Sequence, residues 1–396
     1  AMNGSPDRAG ARPASDGIAP EAVALLRTLI GIDSVNPDLV PGGAGEARIA
    51  DAVTAWLAGR GFDCRRLEST AGRPSILAVA PGTGGGRSLM LNGHLDTVSL
   101  ASYDGDGLTS VVRDGSLYGR GAYDMKSGLA AMMLAADRAH RRRHAGDIVL
   151  ALVADEEYAS DGTAEVLGAV TTDAAIVVEP TGMDLVTAHR GFVWATVTVR
   201  GRAAHGSRPD LGLDAIAKTG RLLAEIDSLA GRLAASTPHP LLATGNVHAG
   251  TIAGGVEVSS YPADCTVTLE RRTIPGEDEQ TFRRELEGIV ADISRQDPDV
   301  AADVQITTHR APFQADPDSA VGATLAASFS EVAGTEIVRR GEPFWTDCAL
   351  LHDAGIDTVM FGVAGGGAHA AVEWVTLDSL ATVTDTLERA AVRYCA

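Results

Sequence analysis

Cysteine is scarce in this chain of 396 residues: four, at positions 64, 265, 348 and 395, lie far apart with no Cys-x-x-Cys spacing. That pattern excludes a thiolate zinc site and a disulfide scaffold, and it suits a reducing compartment. Long apolar runs are also missing. None approaches the roughly 18 residues of a membrane span. Cations are in deficit, 33 Lys and Arg against 52 Asp and Glu, for a net charge of −19. Phosphate backbones and anionic membranes bind through clustered cations. The one basic cluster, Arg141-Arg142-Arg143, falls at an expected helix end. We therefore expect no nucleic acid and no membrane partner. Residues 1–17 are rich in Pro, Ser, Arg and Asp and hold no apolar stretch of signal-peptide kind. They read as a disordered arm, and the expected location is cytoplasmic.

What is present is ordinary globular material, 45% hydrophobic and 21% charged. The length suits two to three domains at roughly 150 residues each. Helical spacing of apolar residues marks Pro20 to Leu29, Ala44 to Gly59, Lys126 to His144 and Leu377 to Tyr394. Short apolar runs at 88–92, 147–153, 174–178 and 358–361 read as strands buried on both faces of an α/β layer. Residues 190–311 read differently. Val193, Ala195, Val197 and Val199 alternate in period two, and the order of elements is β-α-β-β-α-β, the split βαβ of ferredoxin-like folds. An α+β domain over 190–311 is thus expected as an insertion between 18–189 and 312–396.

Polar residues collect where the apolar strands end: Asn92-Gly-His94-Leu-Asp96, Asp155-Glu156-Glu157, Glu179-Pro180 and Gly367-Ala-His369. Asp124 lies in a loop just before a helix. Ligands in open α/β sheets bind beyond the carboxyl ends of strands. Any one of these acids or imidazoles alone would more often cap a helix or fill a core. Five of them near strand ends point instead to a divalent cation. The neighbours Glu156 and Glu157 repel unless a cation or proton separates them.

The ordered motifs Gly93-His-Leu-Asp96-Thr-Val98, Gly119-Arg-Gly-Ala-Tyr-Asp-Met-Lys126, Asp155-Glu-Glu157, Val178-Glu-Pro-Thr181, Gly201-Arg-Ala-Ala-His205 and Gly367-Ala-His369 resemble the co-catalytic dizinc amidohydrolases. That family includes acetylornithine deacetylase, succinyl-diaminopimelate desuccinylase, aminoacylase and carboxypeptidase G. The resemblance implies a zinc-exopeptidase-like catalytic domain of mixed sheet, with a ferredoxin-like lid that also dimerises the protein. It implies that Asp124 bridges two zinc ions, with His94 and Glu179 on one and Glu157 and His369 on the other. Asp96 would orient His94, and Glu156 would be the general base acting on a metal-activated water. A cis peptide between Asp124 and Met125 belongs to the same carry-over. So do His205, stabilising the oxyanion in the other subunit, and Arg272, in Glu270-Arg-Arg272-Thr-Ile-Pro275, binding a substrate carboxylate. Thr346 and Asn246 match substrate-contacting positions, Thr346 being equally suited to helix capping.

Two departures bear on the substrate and leave the metal-ligand positions intact: Ser259-Ser260 where relatives carry Asn, and Tyr158 where relatives carry Gly after the paired acids. Arg271 reads as a solvated residue, His140 and His144 as a pair on a solvent-facing helix surface, and Gly82 to Arg87 as a loop rather than a phosphate cradle. The activity expected is hydrolysis of the amide bond in an N-acyl amino acid by a homodimer carrying two divalent ions, zinc with cobalt or manganese as alternatives. A dipeptidase or carboxypeptidase on the same metals is the alternative enzyme. A non-catalytic binding protein is the alternative outside enzymes.

Overall fold

The computed structural model describes residues 19–396; the arm expected over 1–17 lies outside the described residues. The chain is a mixed α/β protein that divides into two compact units. One is built from the segment up to Asp184 with Ala320–Ile337 and Met360–Ala396, the other from Leu185–Ser319 and Val338–Val359.

The first unit is organised around the strand Ile148–Val153, all six residues of which are buried. It lies antiparallel to Ser75–Ala80 and parallel to Leu89–His94. Leu89–His94 is also parallel to Ala174–Val177, and Asp63–Leu67 adds an antiparallel edge beside Ser75–Ala80. The apolar runs thus form the interior strands. The Asp63–Leu67 edge, largely exposed and polar, carries no such signal. A small antiparallel sheet orders Gly365–Gly366, Trp374–Thr376, Ser116–Tyr118 and Val111–Arg113. It sets the 365–373 segment beside the 119–124 loop.

The helix that follows Asp124 runs over Lys126–His140 and stops four residues short of the expected end, with Arg141 as its C-cap. It is buried on nearly all sides rather than amphipathic. Small residues make this possible: a Cβ on Gly128 would lie 2.4 Å from the Val178 carbonyl oxygen. The helix therefore comes close to the segment that carries Glu179. His140 and His144 do not share a helix face, and His144 is buried, not solvated. Its Nε2 lies 3.4 Å from His140 Nδ1, while its Nδ1 meets the Gly146 carbonyl.

In the second unit, Gly191–Arg200, Asn246–Gly254, Asp264–Thr273 and Ala301–Arg310 form an antiparallel sheet. Its order, second-third-first-fourth along the chain, is the ferredoxin-like arrangement expected. The helices Ala215–Ala234 and Glu279–Gln296 cover one face, burying Leu222, Ile226, Phe282 and Leu286 against Val193, Val197, Val267 and Leu269. Asp214 and Asp278 cap their N-termini by accepting from Ala217 and Thr281 N–H. Asn246–Gly254 is an edge strand, exposed at every position but Val247. Arg271 corrects the expectation of a solvated side chain. It is 1% exposed, on the buried face of its strand, with Glu277 and Glu285 as ion-pair partners. The two acids, six and fourteen residues downstream, make that burial tolerable. Among the described residues no helix is long and apolar enough to cross a membrane.

Candidate metal centre

The first unit brings five of the predicted ligands to one place. His94 ends its strand and is 1% exposed. Its Nε2 lies 3.0 Å from Asp124 Oδ1 and 3.4 Å from Glu179 Oε1. The other oxygen of Asp124, Oδ2, is 3.3 Å from His369 Nε2, and that nitrogen is 3.0 Å from Glu157 Oε2. Asp124 therefore stands between two imidazoles, one oxygen toward each. The ligand-type atoms of His94, Glu156 and Glu179 lie within 4.8 Å of one another, as do those of His94, Asp124 and Glu157. Glu156 is thus as close to His94 and Glu179 as a ligand would be. The Asp124–Met125 peptide is cis.

The electrostatics call for a cation. Burial alone would lower the His94 pKa, yet the Glu179, Asp124 and Asp96 carboxylates raise it well above its ordinary value. Hydrogen bonds to Asp124 and Glu157 push His369 up to about 10. Burial and the nearby Asp124 charge push Glu157 up to about 6. The carboxylates around the two imidazoles thus favour positive charge at this place. Glu157 Oε1 is buried without a hydrogen-bond partner. Imidazole nitrogens and carboxylate oxygens with an orphaned buried oxygen among them fit divalent metal ions.

Asp96 is fully buried and organises the back of this centre. Its oxygens accept the backbone N–H groups of Glu156 and Glu157, each at 3.2 Å. Its backbone carbonyl is 2.9 Å from His94 Nδ1, closer than its carboxylate at 3.6 Å. Orientation of His94 through Nδ1 thus rests first on the main chain of Asp96. Asn36 donates to Asp96 at 2.8 Å and to Asp155 at 3.0 Å. Arg73 in turn holds Asp155 and Glu46. The motif reading passed over Asn36, Glu46 and Arg73 and gave Asp155 no role of its own; their burial and mutual pairing reveal them.

The remaining candidates lie in the second unit. His205 is exposed, and its Nδ1 accepts from the Ser207 backbone N–H at 3.2 Å. A neutral ring then carries its proton on Nε2, free to donate. Arg272 and Asn246 are cross-strand partners. Arg272 pairs with Glu270 through Nε at 2.7 Å and lies over the Phe192 ring. Arg190, absent from the sequence reading, donates to Asn246 Oδ1 at 3.3 Å; burial lowers its pKa, and the like charge of Arg272 lowers it further. Thr346 is buried and accepts the Cys348 N–H at 3.3 Å, just before the helix Cys348–Asp353, whose N-cap position is Asp347.

Known proteins bear directly on these observations. Acetylornithine deacetylase of Myxococcus xanthus is 30% identical over 359 residues, 88% of this chain and 92% of that protein. Among solved structures, aminopeptidase PepT of Bacillus cereus superposes with a TM-score of 0.78 at 18% identity, covering 96% of this chain and 99% of that one. The Bacillus subtilis YXEP protein, described as a dinuclear metal binding peptidase, gives 0.71 at 16% identity, covering 96% and 99%. At such identities the two structures speak for the fold alone. Residues 90–393 match the family described as peptidase family M20/M25/M40. This chain belongs to peptidase family M20/M25/M40.

Proposed function

We propose that this protein hydrolyses the amide bond of an N-acyl amino acid with two divalent metal ions, zinc in the first place, the same donors accepting cobalt or manganese. The observation that carries the reading is the division of the Asp124 carboxylate, Oδ1 toward His94 and Oδ2 toward His369. His94 and Glu179 would hold one ion, Glu157 and His369 the other, with Asp124 shared. When bound, such a pair polarises a carbonyl and acidifies water. Glu156 takes the proton of the attacking water and hands it to the leaving amine. Asp96 keeps the main chain of Glu156 and Glu157 in place. His205 offers its Nε2–H to the developing oxyanion. Arg272, with Asn246 and Arg190, binds the carboxylate of the amino-acid product half.

The deacetylase named among the relatives supports an acyl rather than an aminoacyl substrate. A homodimer through the lid goes with this reading, because the exposed edge strand Asn246–Gly254 is a template for pairing with a second copy. A cytoplasmic location goes with it too, supported by the four free thiols. The peptidase reading draws on the likeness to PepT. A panel of acetylated and succinylated amino acids beside dipeptides, offered to zinc-loaded enzyme, tests the proposal. Turnover of the acylated series, lost on chelation and restored by zinc or cobalt, is expected. Cleavage confined to dipeptides would replace the deacylase reading with the peptidase one. No turnover of either would favour the binding-protein reading.

A further inference from the structure

We infer that Glu373, joined to Arg120, is the positioning residue that fixes where the Asp124 carboxylate stands. The inference rests on the dinuclear reading above. It concerns two residues that reading leaves unused, each 1% exposed. Glu373 Oε1 accepts the backbone N–H groups of Tyr123 and Asp124, both at 2.9 Å. Its Oε2 accepts the Gly121 N–H at 3.0 Å and Arg120 Nη1 at 2.8 Å. One carboxylate thus gathers three N–H groups from a single four-residue loop, the last belonging to Asp124 itself. Holding that N–H fixes the peptide plane that enters Asp124, and with it the bond from which the Asp124 side chain departs, which limits where its carboxylate can stand.

Arg120 extends the grip to the other side of the centre. Its Nη2 donates to the Ala370 carbonyl at 3.0 Å and to Ser102 Oγ at 3.0 Å, and its Nε to the Ser99 carbonyl at 3.2 Å. Ala370 follows His369, which holds a left-handed backbone at φ 59°, a conformation that persists only where its surroundings impose it. The Arg120–Glu373 pair therefore joins the loop of Asp124 to the loop of His369. Groups that orient metal ligands typically govern metal affinity by about 10–100-fold.

The test is calorimetric titration of the metal-free parent, Glu373→Ala and Glu373→Gln with zinc. The visible spectrum of the cobalt forms and thermal unfolding of the metal-free forms are read alongside. Glu373→Ala should bind zinc about 10–100-fold more weakly, with an altered cobalt spectrum. Glu373→Gln keeps an acceptor for Tyr123 and Asp124 but sets an amide against Arg120 or Gly121, so its loss should be smaller and still measurable. Should Glu373→Ala fail to fold, Glu373→Gln decides alone. Parent affinity and parent spectrum in a folded variant, even one with lowered thermal stability, would overturn the inference and leave only a structural ion pair. A parent that binds no zinc would instead remove the metal reading itself.

Discussion

Asp96 accepts the backbone N–H of Glu157 at 3.2 Å through one oxygen, and through the other that of Glu156. The two neighbouring acids are thereby fixed at the main chain and separate at the side chain. Glu157 meets His369, whereas Glu156 lies with His94 and Glu179. Glu156→Gln should keep the metal content of the parent and lose at least about 10²–10⁴-fold in kcat. Glu157→Gln should lose metal as well. Metal analysis beside kinetics checks this; a Glu156 variant short of metal with a Glu157 variant fully loaded would reverse the assignment.

Asn36 holds two buried carboxylates apart, donating to Asp96 and Asp155 while its own Oδ1 accepts the N–H groups of Asp38 and Leu39. Asn36→Ala removes the amide from between Asp96 and Asp155 and strips the Asp38 and Leu39 N–H groups of their acceptor, at a side chain that has no exposure itself. We expect a loss of about 1–3 kcal/mol in stability, measured by urea unfolding of the metal-free protein. Asn36→Asp should be worse, since it adds a third carboxylate to the pair. Equal stability of Asn36→Ala and parent would show that Asn36 bears no such charge-separating role.

His189 gives the second unit a pH dependence. Burial pushes its pKa down to about 4 from 6.5, in a ring packed against Phe313 and Trp345 with Nδ1–H donating to the Arg190 carbonyl. A depressed folded pKa means that the unfolded chain binds the proton first. The stability is therefore complete above about 6.5 and is lost as pH falls toward 4, on the order of 3 kcal/mol. His189→Gln should unfold with a visibly flatter dependence between pH 7 and 4.5. An unchanged slope would show that other groups carry it.

If His205 acts across a lid dimer, inactive His205→Ala mixed with inactive Glu156→Ala should recover activity. Random exchange makes half the dimers mixed, each with one sound site, so the ceiling is about a quarter of the parent. No recovery after proven subunit exchange would place His205 within its own chain's site or outside the chemistry.

The apolar runs 147–153 and 174–178, the period-two alternation of Val193 to Val199 and the placing of His94, Glu157, Glu179 and His369 at strand ends or in the loop after them were legible along the chain. Burial on two faces, burial on one face and polar groups gathered at strand ends each leave a local pattern. Other features were not legible because their cause is non-local. Asp63–Leu67 is a strand through its pairing with Ser75–Ala80, not through its own polar residues. Arg271 looks solvated until Glu277 and Glu285 close over it. The helix ends at His140, before the basic run expected as its last turn, and His144 turns inward to the Gly146 carbonyl.

By itself, then, the sequence determined the kinds of chemistry available: which strands can be buried, which side chains can bind a cation, and the order in which they come. The tertiary structure decided which atoms meet. It set Asp124 between His94 and His369, brought Glu373 back onto the Asp124 loop from 249 residues away, and chose Arg271 rather than Arg272 for burial. The physical reason is that a charged group's place depends on its partners. Partners dozens to hundreds of residues apart come together only when the apolar core has formed and water has been excluded around them.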